Sequence, residues 1–171
     1  MSTPGPNPKD SRVGVLFVCL GNICRSPLAK ALFIHHAHEQ GTIERFEIDS
    51  CGTGDWHVGQ DADPRTISVA IKNALPFSHI ARTLDHADFD RFHVILAMDH
   101  ANRRTLLSRG APKDRVHLMR SFDPRLKDVS GPELDVPDPY YGGESGFDLM
   151  YDMLRAATRG LHAHLVRSHN L

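Results

Sequence analysis

Apolar and polar positions along the chain fall into short blocks whose period switches between that of a strand and that of a helix. Val13-Gly14-Val15-Leu16-Phe17-Val18 is a continuous apolar, β-branched run, the pattern of a strand covered on both faces in a parallel sheet. Gly21, Asn22 and Pro27 then punctuate a loop, and Pro27 suits the first turn of a helix, where its missing N–H costs nothing. Leu28, Ala31, Leu32 and His35 continue at helical spacing until Gly41, a residue suited to closing the segment. Phe46-Glu47-Ile48-Asp49-Ser50 alternates like a second strand, and the Gly-rich stretch from Cys51 to Asp61 predicts a loop. Asp63 can cap a helix with Pro64 at its first position, running to about Asn73.

Further on, His93 to Met98 predicts a third strand, Asp99 to Arg109 a helix ending at Gly110, and Val116 to Met119 a short fourth strand. Phe122 to Gly143 holds Pro124, Pro132, Pro137 and Pro139 and predicts irregular backbone. Gly146 to Val166 sets Phe147, Met150, Tyr151 and Leu154 at 3.6-residue spacing, as in a long closing helix. Strands alternate with helices throughout, which argues for an α/β fold with a parallel sheet and helices on both faces.

Composition narrows the class. A chain of 171 residues is about one domain, and at that size no disulfide or metal staple is required. Residues 13–171 are the expected single domain. The opening MSTPGPNPKDSR, residues 1–12, lacks the apolar core of a secretory signal and is expected to be a flexible tail. The run from Val13 to Leu20 is too short to span a bilayer, so no membrane association is expected. With 20 Lys+Arg against 21 Asp+Glu the net charge is −1, which excludes the broad basic footprint of a nucleic-acid-binding domain. Three cysteines are too few for a disulfide scaffold, and free thiols in a reducing cytoplasm fit better. No Walker or dinucleotide-binding glycine pattern is present. His35, His36 and His38, and His162, His164 and His169, cluster without zinc-ligand spacing, so no metal is expected. Asp85, Asp88 and Asp90 read as a solvated acidic segment.

The candidate chemistry lies in Cys19-Leu20-Gly21-Asn22-Ile23-Cys24-Arg25-Ser26-Pro27. Cys-x5-Arg alone is unspecific. Here, however, the loop leaves the carboxyl end of a buried strand and enters a helix N-terminus, where α/β sheets bind ligands and where unpaired N–H groups favour anions. Consecutive backbone N–H groups from Leu20 to Arg25 suit a nest for a tetrahedral phosphate. Arg25 adds a planar fork that can hold two phosphoryl oxygens at once. Cys19 stands at the base of that positive field, which favours the nucleophilic thiolate, and Ser26 can donate to it. Gly21 and Asn22 tolerate the positive φ that a tight cradle demands. A thiolate attacking a phosphate ester needs a proton donor for the leaving group. Asp138, held before Pro139, can be that donor, and Tyr140 and Tyr141 suit the wall of a pocket for a flat aromatic group. By residue type alone, Asp138-Pro139 is equally a turn and Tyr140-Tyr141 equally a packing pair.

The two stretches together resemble the low-molecular-weight protein tyrosine phosphatases, over about Val13 to Leu165. They stand here as Val15-Leu16-Phe17-Val18-Cys19-Leu20-Gly21-Asn22-Ile23-Cys24-Arg25-Ser26-Pro27 and Asp138-Pro139-Tyr140-Tyr141-Gly142, in the family's order and spacing. The resemblance implies a four-stranded parallel sheet with helices on both faces and the phosphate loop between strand 1 and helix 1. It implies hydrolysis of aryl phosphate monoesters in which Cys19 attacks phosphorus, Asp138 protonates the phenolate, and a phosphocysteine forms. Asp138 then acts as base for the hydrolytic water. Arg25 and the loop amides of Leu20, Gly21, Asn22, Ile23 and Cys24 carry the phosphate, with Ser26 in the same loop where the family's thiolate partner lies, so no cofactor is implied.

Other positions follow from the same resemblance. Asn22, Ser50 and His79 match a hydrogen-bond network that props the phosphate loop, although His79 equally suits a satisfied buried histidine. Trp56 falls where the family places an aromatic specificity residue on the pocket rim. Asp99 also matches a family position and, as a residue, suits a helix cap. The implied partners are a phosphotyrosine-containing protein substrate and a cognate tyrosine kinase. Two rivals share the fold. Phosphoarginine phosphatases carry Thr where Ile23 stands, and thiol-dependent arsenate reductases need relay cysteines that are missing after Cys51. Cys24, five residues from Cys19, is placed for a reversible protective disulfide, and Cys51 is expected to be structural.

Overall fold

The computed structural model describes residues 11–171, so the expected tail lies outside the described residues except for Ser11 and Arg12. The elements follow in the order β1 (Val13–Cys19), α1 (Arg25–Glu39), β2 (Phe46–Gly52), α2 (Pro64–Lys72), a single-turn α3 (Asp88–Arg91), β3 (Val94–Ala97), α4 (His100–Ser108), β4 (Val116–Leu118) and α5 (Glu144–His169). The four strands form one sheet in the order β2-β1-β3-β4, and all three pairings are parallel.

Every residue of β1 is buried, which is why its sequence is continuously apolar. Alternate side chains point to opposite faces of the sheet. Val13, Val15 and Phe17 pack with Leu28 and Phe33 of α1, Val69 of α2 and Leu154 of α5. Leu16 and Val18 pack with Phe89, Ile95, Leu106 and Val116 on the other side. The Phe17 and Phe33 rings lie 5.8 Å apart, and Phe33 meets Phe46 edge-on at 5.1 Å. Fully burying an aromatic ring of this kind contributes about 1.5–3 kcal/mol. These contacts fasten α1 to the sheet and fix where the intervening loop must turn.

Three details depart from the sequence pattern. β2 continues past Ser50 through Cys51 and Gly52, and Cys19 pairs in register with Gly52. Cys51 is fully buried and Gly52 has no side chain, so the strand's end carries no alternating signal. α5 starts at Glu144 and ends at His169, beyond the expected span, and closes on Asn170 in the left-handed region (φ +53°). Asp88 is not solvated: it is 3% exposed and accepts from Arg82 Nη1 and Nη2 at 3.0 and 3.1 Å. A buried carboxylate needs such a partner, whereas Asp85 and Asp90 are exposed.

β1 lies between β2 and β3, so the strand order reverses there. Open α/β sheets place their binding crevice outside the carboxyl ends of the strands at that point. The segment 20–24 leaves β1 at this crevice, and Asp99 stands just beyond β3. Among the described residues, no helix is long and apolar enough to cross a membrane.

Candidate active site

The segment between β1 and α1 is a ring whose carbonyls are held from outside. Thr53 N donates to Cys19 O, Gly54 N to Leu20 O and Asp63 N to Ile23 O, each at 2.9 Å. His79 Nε2 donates to Asn22 O at 2.6 Å. In a trans peptide the N–H points opposite to the C=O. Turning these four carbonyls outward therefore turns the N–H groups of Leu20, Gly21, Ile23 and Cys24 inward. Four rigid dipoles converge on one spot, the geometry of an anion nest.

Asn22 is the keystone of the ring. Its φ is +56°, a conformation that Asn tolerates better than most residues. Its side chain donates to Ser26 Oγ at 2.8 Å and Ser50 Oγ at 3.0 Å and accepts from Arg82 N at 3.0 Å. Arg82 in turn bridges Asp88 and Asp49, the latter through Nε at 2.9 Å, and Lys30 meets Asp49 at 3.1 Å. Burial opposes the Asp49 charge, but Lys30 and the Ser50 backbone N–H outweigh it and hold the carboxyl below its usual range. Burial likewise lowers His79 and keeps its imidazole neutral, consistent with Nε2 as donor.

Cys19 Sγ sits at the foot of the ring, 2.9 Å from Ser26 Oγ and 3.3 Å from Asn22 N. Arg25, only 2% exposed, donates from Nη1 to Asp99 Oδ2 at 2.6 Å and to Val136 O at 3.0 Å. Its Nη2 lies 3.5 Å from Asp138 Oδ2. Burial works against the Arg25 charge, but Cys19, then Asp99 and Asp138, outweigh it and hold the guanidinium firmly charged. Cys24 is different: burial, aided by Asp63, pushes its thiol up to about 12. All three cysteines are free thiols.

A cavity of about 330 Å³ opens above the ring. Cys19, Leu20, Gly21, Ile23, Cys24 and Arg25 form its floor, and Asp138, Tyr140, Tyr141, Trp56 and His57 its walls. Trp56 is 65% exposed and Tyr141 93% exposed. The Trp56 ring lies across Gly54, where an added Cβ would fall 1.8 Å from Cζ3. Tyr140 and Tyr141 meet edge-to-face at 4.9 Å. The structure thus brings Cys19, Arg25, Asp138, Trp56 and both tyrosines to one cavity, with Ser26, Asn22, Ser50 and His79 beneath it.

Two residues of the site carry more than their sequence suggested. Asp99 caps α4, accepting from Asn102 N at 2.7 Å through Oδ1, but its other oxygen is the partner of Arg25. Its position at the carboxyl end of the strand next to β1 is the signal that could have shown this. His57 lines the cavity with its ring against Gly21, and only its adjacency to Trp56 pointed to it.

A thiol, a buried guanidinium and an opposed carboxyl around an anion nest are the parts of a phosphate-ester hydrolase acting through a cysteine. Comparison with known proteins agrees. A low molecular weight protein-tyrosine-phosphatase of Streptomyces coelicolor is 45% identical over 153 residues, covering 87% of this chain and 91% of that protein. A crystal structure of a protein tyrosine phosphatase from Entamoeba histolytica superposes with a TM-score of 0.82 at 36% identity, covering 93% and 99% of the two chains. A Drosophila arginine phosphatase superposes with a TM-score of 0.78 at 29% identity, over 88% and 96%. The family model for the low molecular weight phosphotyrosine protein phosphatases matches residues 14–171, and it is to this family that the chain belongs.

Proposed function

We propose that the protein hydrolyses phosphotyrosine in protein substrates through a phosphocysteine on Cys19. The observation that carries this reading is the placement of Cys19 Sγ, the Arg25 guanidinium and the Asp138 carboxyl around one cavity walled by aromatic rings. The substrate phosphoryl group enters the ring of N–H groups, and Arg25 holds two of its oxygens. The Cys19 thiolate attacks phosphorus, the bond from phosphorus to the aryl oxygen breaks, and the departing oxygen takes the proton of Asp138. Water then gives a proton to the Asp138 carboxylate and attacks phosphorus. The sulfur–phosphorus bond breaks, inorganic phosphate leaves and the thiolate is restored, stabilised by Ser26.

Trp56, Tyr140 and Tyr141 supply faces for the phenol ring. Ile23 closes the floor with an aliphatic side chain, which favours an aryl ester over a guanidino phosphate. A phosphotyrosine substrate requires a tyrosine kinase to make it, so a cognate kinase is the implied partner, and a cytoplasmic setting suits a thiol nucleophile. The test sets phosphotyrosine peptide, phosphoarginine protein and arsenate with thioredoxin side by side. Phosphotyrosine should be turned over fastest, and Cys19→Ser should abolish turnover. Preference for phosphoarginine, or substantial activity in Cys19→Ser, would overturn the reading.

A further inference from the structure

Asp138 stands on a loop with sparse backbone support. Val136 N donates to Met98 O at 2.8 Å, but Pro137 and Pro139 have no N–H to give. Tyr140 N turns back to Asp138 Oδ1 at 3.1 Å, and Gly142 N to Pro139 O at 3.0 Å. Gly143 O accepts from Gly146 N at 3.1 Å as α5 begins, but from 137 to 142 two hydrogen bonds alone, among the described residues, join the loop's backbone to another part of the chain. Both come from Arg65, whose Nη2 reaches Tyr140 O at 2.9 Å and whose Nη1 reaches Gly142 O at 3.1 Å.

Arg65 is itself fixed. Nε and Nη2 hold the Asp63 carboxylate at 3.0 and 2.9 Å, and the guanidinium lies over the Phe147 ring, 4.5 Å from its centroid. Asp63 donates its own backbone N–H to Ile23 O in the phosphate loop. One unbroken set of contacts therefore runs from Ile23 through Asp63 and Arg65 to the loop that bears Asp138. The planar guanidinium, with five N–H donors, makes these four bonds at once, more than the three donors of an ammonium allow.

We propose that Arg65 is a positioning residue for the reaction, clamping the loop of Asp138, Tyr140 and Tyr141 to the helix that also braces the phosphate loop. The proposal rests on Asp138 as the general acid. Arg65 is 34% exposed, whereas its partner Asp63 is buried. The bonds from Arg65 to the loop go to its backbone, so its effect on the reaction falls on where the carboxyl points, and on protonation of the leaving group above all.

The experiment measures kcat/KM, which reports the first chemical step, for a phosphotyrosine peptide and for dinitrophenyl phosphate, whose leaving group needs little protonation. Wild type, Arg65→Ala, Arg65→Lys and Asp138→Ala are compared. Arg65→Ala should lose about tenfold on phosphotyrosine, a part of the roughly 10²–10⁴-fold that a general acid contributes, and less than about threefold on the dinitrophenyl ester. Arg65→Lys, with one ammonium on a flexible stem, should fall between, and it carries the comparison if the alanine variant fails to fold. Equal losses on the two esters, or none, would overturn the clamp. If Asp138→Ala is selective for phosphotyrosine while the Arg65 variants are not, the clamp alone fails. An Asp138→Ala variant without that selectivity removes the general acid and the clamp with it.

Discussion

At the scale of single residues, Asp99 does two jobs with one carboxylate. Oδ1 caps α4 on Asn102 N, and Oδ2 holds the buried Arg25. An asparagine has only one acceptor oxygen and cannot satisfy both. Asp99→Asn and Asp99→Ala should each lower kcat/KM by about tenfold, since both leave Arg25 without its fixed partner, a change of about 1.4 kcal/mol in transition-state binding. The alanine variant also loses the cap, about 0.5–2 kcal/mol. In a chain of this length each 1 kcal/mol shifts the melting temperature by roughly 2–4 °C, so Ala should melt below Asn at similar activity. Thermal melts paired with steady-state kinetics separate the two jobs. Equal melting temperatures with unequal activities would show that the assignment of the two oxygens is wrong.

At the scale of elements, the end of β2 acts as a buttress for the phosphate loop. A Cβ on Gly52 would lie 2.7 Å from Leu20 O, 3.1 Å from Gly21 C and 3.2 Å from Asn22 N. All three are backbone atoms of the ring and cannot yield as a side-chain tip would. Gly52→Ala should thus displace the ring, costing about 1–3 kcal/mol of stability as overpacking does. It should also weaken competitive inhibition by inorganic phosphate along with turnover. Unchanged phosphate affinity in this variant would mean that the ring does not depend on its buttress. The same element shows what was legible beforehand. β1, β3 and the phosphate loop were readable because a strand buried on both faces must be continuously apolar, and Gly21, Asn22 and Pro27 break it in a recognisable way. The last two residues of β2 were not, since a glycine pressed against backbone looks like a glycine in a turn. Nor were the pairs Arg25–Asp99, Arg82–Asp88 and the contacts of Arg65. The Arg25–Asp99 pair and the Arg65 contacts with Tyr140, Gly142 and Phe147 join residues dozens of positions apart and depend on strand order and loop path. The Arg82–Asp88 pair is close in sequence, but only burial distinguishes it from a solvated acidic run.

At the scale of the whole molecule, the histidines and carboxylates whose protonation the fold shifts share one sign. His36, His79, His117 and His162 are each held below the ordinary imidazole value of 6.5, with burial as the largest cause. Arg159 adds to this at His36, His164 at His117, and His36 at His162. Opposing contributions come from Glu39 at His36, from the Asn22 hydrogen bond at His79 and from the Asp114 backbone at His117. His93 belongs with them: burial, then His169 and Arg115, lower it against Glu47, and its Nδ1 accepts Gly14 N–H at 2.8 Å, a bond that protonation there would break. Asp63 is held below the usual carboxylate range by Arg65, and Asp123, despite its burial, by Arg125. In each case the unfolded chain binds the proton more readily than the folded one, so stability must rise with pH across the interval between the two values. The histidine contribution is complete above about pH 6.5 and is lost as pH falls through the lower folded values. The carboxylate contribution is complete above about pH 4 and is lost further down. Calorimetric melting temperatures should accordingly be level from pH 8 to 7, begin to fall below about pH 6.5, and take a further fall from the carboxylates below about pH 4. A melting temperature constant between pH 7 and 5 would mean that these histidines titrate alike in the folded and unfolded chain, and that their burial costs the charged form nothing.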